Sequence, residues 1–250
     1  MTRRHHFEWT ESKARWYWRT VKHNDYPREL LNVILPLLKD CNSVLDVGAG
    51  CGAFTLPLAH VVPTVTALEP ASPMATLLNN EVAQLGLTNV HLLEADYREA
   101  EVAPHDAILC AFVPNLDDLD IFLPWVERVG KRRVILIRRS RTGEDKFFLN
   151  ELNSMLLGKT YRERRDYLDT VVSLHERGIF ANVQMVDFRL DQPFDDLEEA
   201  VAFSREYLGL KDERHNEALR TFLQERLVAV DGVLTAPVRH TSAVLWWDLS

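Results

Sequence analysis

Val-Leu-Asp-Val-Gly-Ala-Gly-Cys-Gly, residues 44–52, is the most informative stretch of this 250-residue chain. An apolar strand carries Asp46 near its end, breaks into three closely spaced glycines, and is followed by an apolar segment, 53–61, that we predict as a helix. Glycines at this spacing let the backbone turn tightly and approach a ligand, because no Cβ stands in the way. The helix that follows directs its free N–H groups toward the turn. The stretch therefore predicts a binding site for a nucleotide-type cofactor.

Strands and helices alternate on both sides of this turn. We predict strands at 43–47, 64–68, 90–93, 106–112 and 134–137, and helices at 27–38, 53–61, 72–86 and 116–129. Continuously apolar strands that alternate with helices are typical of a parallel sheet covered on both faces. Right-handed crossovers make such a sheet doubly wound. The predicted fold class is therefore α/β.

The two ends of the chain depart from this alternation. After residue 140 we predict helices at 144–157, 162–177, 196–208 and 214–228, and strands at 183–190 and 242–249. We interpret the helices as insertions near 144–177 and 196–228 that cap one end of the sheet, within one domain that spans 27–250. Residues 1–26 form an N-terminal aromatic helical segment, with Trp9, Trp16, Tyr17 and Trp18. These rings either close over the bound ligands or pack the helix onto the sheet, and we favour packing because large aromatic side chains are costly to expose.

Composition narrows the class of protein. Apolar residues make up 46% of the chain, which is enough for a full core, and the formal net charge of −8 argues against large nucleic acids as partners. The three cysteines show no zinc-binding spacing, and no apolar run is long enough to cross a bilayer. We expect a cytoplasmic protein without a metal site and without membrane contact. Nothing in the sequence indicates the oligomeric state.

Two carboxylates follow the next two strands along the chain. Glu69 closes the strand at 64–68, and Asp96 follows the strand at 90–93. In an open parallel sheet, ligands bind outside the carboxyl ends of the strands. A carboxylate at the first of these ends can accept both hydroxyls of a ribose, and a carboxylate at the second can accept an exocyclic amine such as that of adenine. With the glycine turn, the set predicts an adenosine-bearing ligand.

These motifs resemble those of the class I S-adenosylmethionine-dependent methyltransferases. Asp46-Val-Gly-Ala-Gly-Cys-Gly52 resembles motif I of that family, Ala67-Leu-Glu-Pro70 its acidic motif after strand two, and Glu94-Ala-Asp-Tyr97 its motif after strand three. The resemblance covers roughly residues 27–140 and, more weakly, the final strand. It implies a mostly parallel seven-stranded sheet whose last strand is antiparallel, with S-adenosylmethionine as cofactor and S-adenosylhomocysteine as product.

The resemblance also implies roles for individual residues in cofactor binding. The candidate cofactor-binding residues are Asp46, Gly48, Ala49, Gly50, Gly52, Glu69, Pro70, Asp96, Tyr97, Ala111 and Phe112. The turn would line the methionine and ribose part, while Asp46 would orient the turn and reach the methionine amine. Glu69 would bind the ribose hydroxyls.

The remaining implied contacts concern the adenine ring and the reacting methyl group. Pro70 would lie beside the adenine, Asp96 would bind its amine, and Tyr97 would flank the ring, although an ordinary turn tyrosine explains Tyr97 equally well. Ala111 and Phe112, at the end of strand four, would face the methyl group.

Two other functions compete with this interpretation. Gly48-Ala-Gly50-Cys-Gly-Ala53 also satisfies the relaxed dinucleotide-binding fingerprint, which would make the chain an NAD-dependent oxidoreductase. The acid inside strand one, the early third glycine and the second acid at Asp96 argue against it. A non-catalytic subunit that binds S-adenosylmethionine would carry the same motifs.

The methyl acceptor is narrowed mainly by exclusion. Ala111-Phe-Val-Pro-Asn115 lacks the Asn/Asp-Pro-Pro-Tyr/Phe pattern of enzymes that methylate amino groups of DNA or protein glutamine. The insertions, with Phe147, Phe148, Leu152, Met155 and Leu156, suggest a lid over a small or apolar acceptor. Arg138, Arg139 and Arg141 could bind an acidic substrate, but a solvated charged face is the commoner explanation for such a cluster. No residue is identifiable as a general base.

Overall fold

The structure is a computed structural model with a central sheet and flanking helices. It describes residues 8–24, 26–113, 118–143, 145–159 and 166–249; for 141–143 it describes the backbone only. In chain order the elements are α1 (Glu11–His23), α2 (Arg28–Leu37), β1 (Ser43–Val47), α3 (Thr55–Ala59), β2 (Thr64–Leu68), α4 (Ser72–Gln84), β3 (Val90–Leu93), β4 (His105–Ala111), α5 (Leu119–Val129), β5 (Gly130–Gly143), α6 (Leu149–Leu157), α7 (Tyr167–His175), β6 (Asn182–Arg189), β7 (Gln192–Phe194), α8 (Leu197–Tyr207), α9 (Asn216–Arg226), β8 (Val228–Val230), β9 (Val233–Ala236) and β10 (Arg239–Asp248).

Seven strands form the central sheet in the order β3-β2-β1-β4-β5-β10-β6. The first five pair in parallel, and β10 enters between β5 and β6 antiparallel to both. This confirms the predicted doubly wound, mostly parallel α/β sheet with an antiparallel last strand. The dinucleotide-binding sheet has the all-parallel order 3-2-1-4-5-6, so the position of β10 counts against the oxidoreductase interpretation.

Each face of the sheet is covered by helices. One hydrophobic cluster joins the sheet to α2 and α3, and we call this side the first face. A second cluster joins the opposite side to α5 and α7. The helix α7, which the sequence analysis assigned to the cap, packs on the second face through the fully buried Leu174 and carries the chain from β5 toward β6.

Strand β5 is much longer than predicted. The basic residues on either side of 134–137 suggested that the strand ends there, but it continues to Gly143. The extension pairs with β10, whose Ser242 and Ala243 lie opposite Arg139 and Arg138. Pairing to a distant strand therefore extends β5 beyond its apolar run, and both arginines lie within the strand.

The second insertion is larger than the predicted span of 196–228. It contains a three-stranded antiparallel sheet, β7-β9-β8, which packs with α8, α9 and α6 around the buried Phe203. The rings of Phe147 and Phe194 lie 5.0 and 5.2 Å from that of Phe203. We call α6, β7, α8, α9, β8 and β9 the accessory unit.

Helix α1 joins the accessory unit to the central domain. Toward the accessory unit, Trp16 Nε1 donates to Glu199 Oε1 over 2.9 Å, and its ring lies edge-on to Phe203. Toward the central domain, Trp18 Nε1 donates to Glu81 Oε1 of α4, also over 2.9 Å. The N-terminal tryptophans therefore do pack against the rest of the chain. Among the helices that the structure describes, none is long and apolar enough to cross a membrane.

Candidate functional site

The glycine turn follows directly from the pairing of β1 with β2. The N–H groups of Gly48 and Ala49 both donate to the carbonyl of Leu68, over 2.8 and 2.9 Å, so the chain turns at the level where β2 ends. Gly48, Gly50 and Gly52 have φ values of +71°, +58° and +92°, which residues with a Cβ rarely adopt. The predicted need for glycine at this spacing is thus a backbone requirement at all three positions.

The three glycines differ in what surrounds them. A Cβ at Gly48 would lie 2.6 Å from Val113 Cγ2, and a Cβ at Gly52 would lie 2.5 Å from Leu78 Cδ1. A Cβ at Gly50 would meet no atom within 4 Å. Gly48 and Gly52 are therefore also required for packing, whereas Gly50 presents its backbone to open space that a ligand can approach.

Glu69 lies against the open side of this turn. Its Oε2 accepts from the Gly50 N–H over 2.7 Å, and its Oε1 accepts from the Ala71 N–H over 2.8 Å. Burial raises the pKa of this carboxyl, and the two backbone hydrogen bonds oppose that rise. Each carboxylate oxygen can accept a second hydrogen bond, so Glu69 can hold the turn and still accept from ligand hydroxyls.

Asp46 lies beneath the turn and is only 1% exposed. Its Oδ2 accepts from Thr55 Oγ1 over 2.6 Å, which ties the end of β1 to the first residue of α3. Burial, together with the nearby charge of Glu69, raises the pKa of Asp46 to about 7, against the opposing effect of Thr55. Asp46 can therefore exchange a proton near neutral pH.

Asp96 and Tyr97 follow β3 but point in different directions. The Asp96 carboxylate binds the guanidinium of Arg98 in a fork, with Nε to Oδ1 and Nη2 to Oδ2 both at 2.8 Å. The Tyr97 ring is 4% exposed and packs edge-on against Phe122 and Trp125 of α5. Tyr97 is thus a buried residue of the second face rather than an exposed turn tyrosine.

Pro70 is exposed beside Glu69. The adenine contacts of Pro70, Asp96 and Tyr97 stay predictions.

Phe112 ends β4 with a positive φ of +57°. Side chains alternate between the faces of a strand, yet Ala111 and Phe112 both pack against the first face. The left-handed conformation explains this, because it turns the Phe112 ring back to the same side as Ala111. Positive φ at a bulky residue is strained and concentrates at functional sites. Ala111 and Phe112 lie at the carboxyl end of β4, as predicted, and their proposed position beside the methyl group is untested.

Helix α1 covers the turn from the first face. Trp18 packs against a small buried cluster that includes Ala49 of the turn. The Tyr17 hydroxyl hydrogen-bonds that of Tyr26, and Asp46 is close enough to raise the pKa of Tyr17, in addition to the larger effect of burial. Tyr17 and Trp18 therefore pack beside the turn and Trp16 packs on the accessory unit, which agrees with the favoured prediction of packing. That these rings close over bound ligands stays a prediction.

Some residues named in the sequence predictions lie outside the described residues. Residues 114–117, with the Pro114-Asn115 pair, and residues 160–165, at the predicted start of the second inserted helix, are among them, as is the side chain of Arg141. Among the described residues, no group of three or more His, Cys, Asp or Glu side chains could hold a metal ion.

Residues 44–132 match the family model described as "Methyltransferase domain". This stretch contains the glycine turn, Glu69 and Asp96, and the sheet around it has the order found above. These residues therefore form a methyltransferase domain, and the whole chain has the fold of the class I S-adenosylmethionine-dependent methyltransferases, as predicted. The match supports the predicted cofactor, S-adenosylmethionine.

The relatives of this chain differ in what their names say about function. An uncharacterized protein of Haemophilus influenzae is 27% identical over 217 residues, which cover 83% of this chain and 76% of that protein. The "Probable ribosomal RNA small subunit methyltransferase A" of Methanosphaera stadtmanae is 22% identical over 145 residues, 56% of this chain and about half of the relative (53%). The crystal structure of a SAM-dependent methyltransferase from Aquifex aeolicus shares the fold, with a TM-score of 0.51, 20% identity, and coverage of 94% of this chain and 99% of that one.

The geometry of this methyltransferase fits its cofactor. Gly50 has open space beside it, and the Glu69 carboxylate lies against the same peptide group. When bound, S-adenosylmethionine supplies an electrophilic methyl group on a positively charged sulfur, and the protein supplies orientation and a dry pocket.

Sequence reasoning did not find several residues near the ends of β4 and β5. Four residues from separate segments approach this region, and none of them belongs to a sequence motif: Tyr26, Lys146, Phe188 and His240. Only the sheet order and the bend at Phe112 bring them together.

Proposed function

We propose that this methyltransferase acts on a small-molecule acceptor bound at the carboxyl ends of β4 and β5. The observation that carries the proposal is the hydrogen bond from the Gly50 N–H to Glu69. It joins the turn to the carboxylate that follows β2, which supports a cofactor position on the β1–β2 side. The adjoining ends of β4 and β5 are then left for the acceptor.

The position of α1 supports a small acceptor. Trp18 of α1 packs against the cluster that includes Ala49 of the turn, and Tyr17 is close enough to both Asp46 and Arg139 for their charges to affect its pKa, so α1 lies beside both the turn and the end of β5. Trp16 and Trp18 anchor the helix to the accessory unit and to α4. A folded macromolecule could reach the strand ends on this face only by displacing α1. A ribosomal RNA methyltransferase is nevertheless among the relatives, so the exclusion of nucleic acid stays a prediction.

The protein contributes position rather than covalent chemistry in this proposal. Glu69 and the turn hold the ribose and methionine parts, Asp46 carries a negative charge toward the methionine amine when ionised, and Phe112 borders the methyl group. Direct in-line transfer needs no protein nucleophile, and it needs a base only when the acceptor must lose a proton early. α1 and its aromatic side chains limit the access of water.

Isothermal titration tests the cofactor half of the proposal. We expect S-adenosylmethionine and S-adenosylhomocysteine to bind and NADH not to bind. A Glu69→Ala variant should bind at least tenfold more weakly, because hydrogen bonds to a charged group contribute about 1.5–3 kcal/mol. Glu101→Gln, an exposed position in the loop before β4, is the control. Unchanged affinity in Glu69→Ala would refute the assignment of the residue.

Transfer of a labelled methyl group tests the acceptor half. The purified protein is incubated with methyl-labelled S-adenosylmethionine and with separated small-molecule, RNA and protein fractions of a cell extract. We expect label in the small-molecule fraction. Label in RNA or protein alone would contradict a small acceptor, and binding without transfer to any fraction would favour the non-catalytic subunit.

A further inference from the structure

Aromatic and basic side chains meet on the first face at the ends of β4, β5, β6 and β10. We call this set the acceptor face and define it as Phe112, Arg139, Phe188 and His240, together with Lys146. Lys146 follows β5, its Nζ lies 4.9 Å from the centre of the Phe147 ring, and it is near enough to His240 for its charge to affect the pKa of that imidazole. The Phe112 and Phe188 ring centroids lie 6.3 Å apart, and Phe188 lies 5.5 Å from the imidazole of His240. The Arg139 guanidinium carbon is 5.9 Å from the centre of the Phe112 ring. These contacts join the ends of four strands into one cluster, in which Phe188 is buried, Phe112 and His240 are half-buried and Arg139 is exposed.

Strand directions explain why these residues meet. β6 is antiparallel to β10 and therefore runs with β5, so Phe188 near its end and His240 near the start of β10 lie at the same edge of the sheet. His240 and Phe188 are paired neighbours in that register. Phe112 joins them only because its positive φ turns the ring to the first face.

The acceptor face carries positive charge on an acidic chain. Arg139 is exposed and Lys146 is half-buried. Burial, with smaller effects from Lys146 and Arg139, lowers the pKa of His240 to about 3, so the imidazole is neutral at physiological pH. The positive charge at this face therefore comes from Arg139 and Lys146, while the chain as a whole carries a net charge of −8.

The acceptor face also adjoins the cofactor turn. Val113, the residue after Phe112, lies so close to the turn that a Cβ at Gly48 would be 2.6 Å from its Cγ2. Tyr17 is also near enough to Arg139, Asp46 and Cys51 for all three to affect its pKa. A molecule that rests on Phe112 therefore lies next to the turn that holds the cofactor. This position is the one that an acceptor must occupy for direct transfer.

We propose that the acceptor face binds an aromatic anion, with its ring against the half-buried Phe112, behind which Phe188 is buried, and its carboxylate or phosphate group at Arg139 and Lys146. Flat apolar rings favour edge-on and offset contacts with aromatic ligands. Guanidinium groups bind carboxylates and phosphates through two parallel hydrogen bonds. The inference deepens the proposed function and rests on it.

Binding of small probes to the protein saturated with S-adenosylhomocysteine tests the inference. Ligand-observed NMR is used with benzoate, phenyl phosphate, benzylamine and benzyl alcohol, which share a ring and differ in charge. We expect benzoate or phenyl phosphate to bind at least tenfold more tightly than benzylamine and benzyl alcohol, and the two anions distinguish a carboxylate site from a phosphate site. Equal binding of all four, preference for benzylamine, or no binding of any probe would overturn the inference.

Charge-removing variants locate the site. Arg139→Gln and Lys146→Gln should each weaken binding of the preferred anion about tenfold or more while S-adenosylhomocysteine affinity stays unchanged. Arg128→Gln and Lys131→Gln remove the same charges at exposed positions near the opposite edge of the sheet, and should leave anion binding as it is.

The two proposals fail in different ways. Normal binding of S-adenosylhomocysteine with no effect of Arg139→Gln would refute the acceptor face alone. Failure of the unaltered protein to bind S-adenosylhomocysteine would refute the proposed function, and the inference with it.

Discussion

Replacement of Asp46 by asparagine should make the folded chain more stable in alkaline solution but not in acid. In the folded chain Asp46 holds its proton up to about pH 7, whereas an unperturbed aspartate loses it near 3.8. The folded state therefore binds more protons than the unfolded state between these two values. The stability that this group contributes is present below the unfolded pKa and is lost as the pH rises through about 7. Asparagine has the same shape, stays neutral and can still accept from Thr55.

The size of the effect follows from the shift. One pKa unit corresponds to about 1.4 kcal/mol, so a rise of about three units corresponds to about 4 kcal/mol over the full range. Between about pH 5 and about pH 8, the free energy of unfolding of Asp46→Asn should therefore rise by about 3 kcal/mol relative to that of the unaltered chain. The side chain is almost fully buried, so solvent does little to screen its ionisation.

Urea unfolding without cofactor, at a series of pH values, measures this difference. Glu101→Gln is the control, since its exposed side chain should change stability by no more than about 0.5 kcal/mol at any pH. A difference between Asp46→Asn and the unaltered chain that stays constant across the pH range would refute the reasoning. So would a difference that grows toward acid, because it would mean that Asp46 is ionised in the folded state.

Three further predictions concern the turn, the accessory unit and the acceptor face. Both Gly50→Ala and Gly52→Ala should carry the strain of a Cβ at positive φ, about 1–2 kcal/mol. Gly52→Ala should destabilise the chain by about 1–3 kcal/mol more, because its methyl group would come within 2.5 Å of a leucine side chain whereas the one at Gly50 meets nothing within 4 Å. Gly50→Ala should also weaken S-adenosylmethionine binding, and equal unfolding midpoints of the two variants would contradict this. Phe203→Ala should cost about 3–5 kcal/mol in urea unfolding, and Phe180→Ala, at a side chain that is 74% exposed, should cost under about 0.5 kcal/mol. The pKa of His240 falls from 6.5 to about 3 on folding, so the stability that the neutral imidazole contributes is present above pH 6.5 and is lost as the pH falls below that value. The free energy of unfolding of His240→Gln should therefore rise in acid relative to that of the unaltered chain. A difference that does not depend on pH would contradict the burial of a neutral imidazole.

Short stretches of sequence were sufficient for the cofactor half of the site. The residues that form the turn are consecutive in the chain, from Asp46 to Thr55. Their conformation depends mainly on the glycines and on the adjoining strand and helix. The resemblance to motif I therefore led directly to the observed geometry. Even the β8–β9 hairpin, which was not predicted, has a local signal: Asp231-Gly232, both at positive φ, is a dipeptide that favours a two-residue hairpin turn. Strands of three or four residues are too short for periodicity to reveal.

The acceptor half could not be predicted in the same way. Arg139 and His240 are 101 positions apart in the sequence, and Phe188 lies between them. No local sequence pattern predicts that β10 lies between β5 and β6 in the sheet. Nor does one predict that β5 continues beyond its apolar residues, since that extension depends on pairing with β10. The positive φ of Phe112, which turns its ring toward Phe188, also depends on the packing around the strand end rather than on residue type.

The amino-acid sequence by itself determined the α/β class, the glycine turn and the cofactor, because these depend on residue types and spacings within single strand-turn-helix units. Only the tertiary structure showed that Phe112 and Arg139, two of the candidates from the sequence, meet Phe188 and His240 in the proposed acceptor face, since these four residues come together through strand order and strand direction. The physical reason is that backbone geometry around a glycine is a local property, whereas a surface shared by four strands is defined only once the whole sheet has formed.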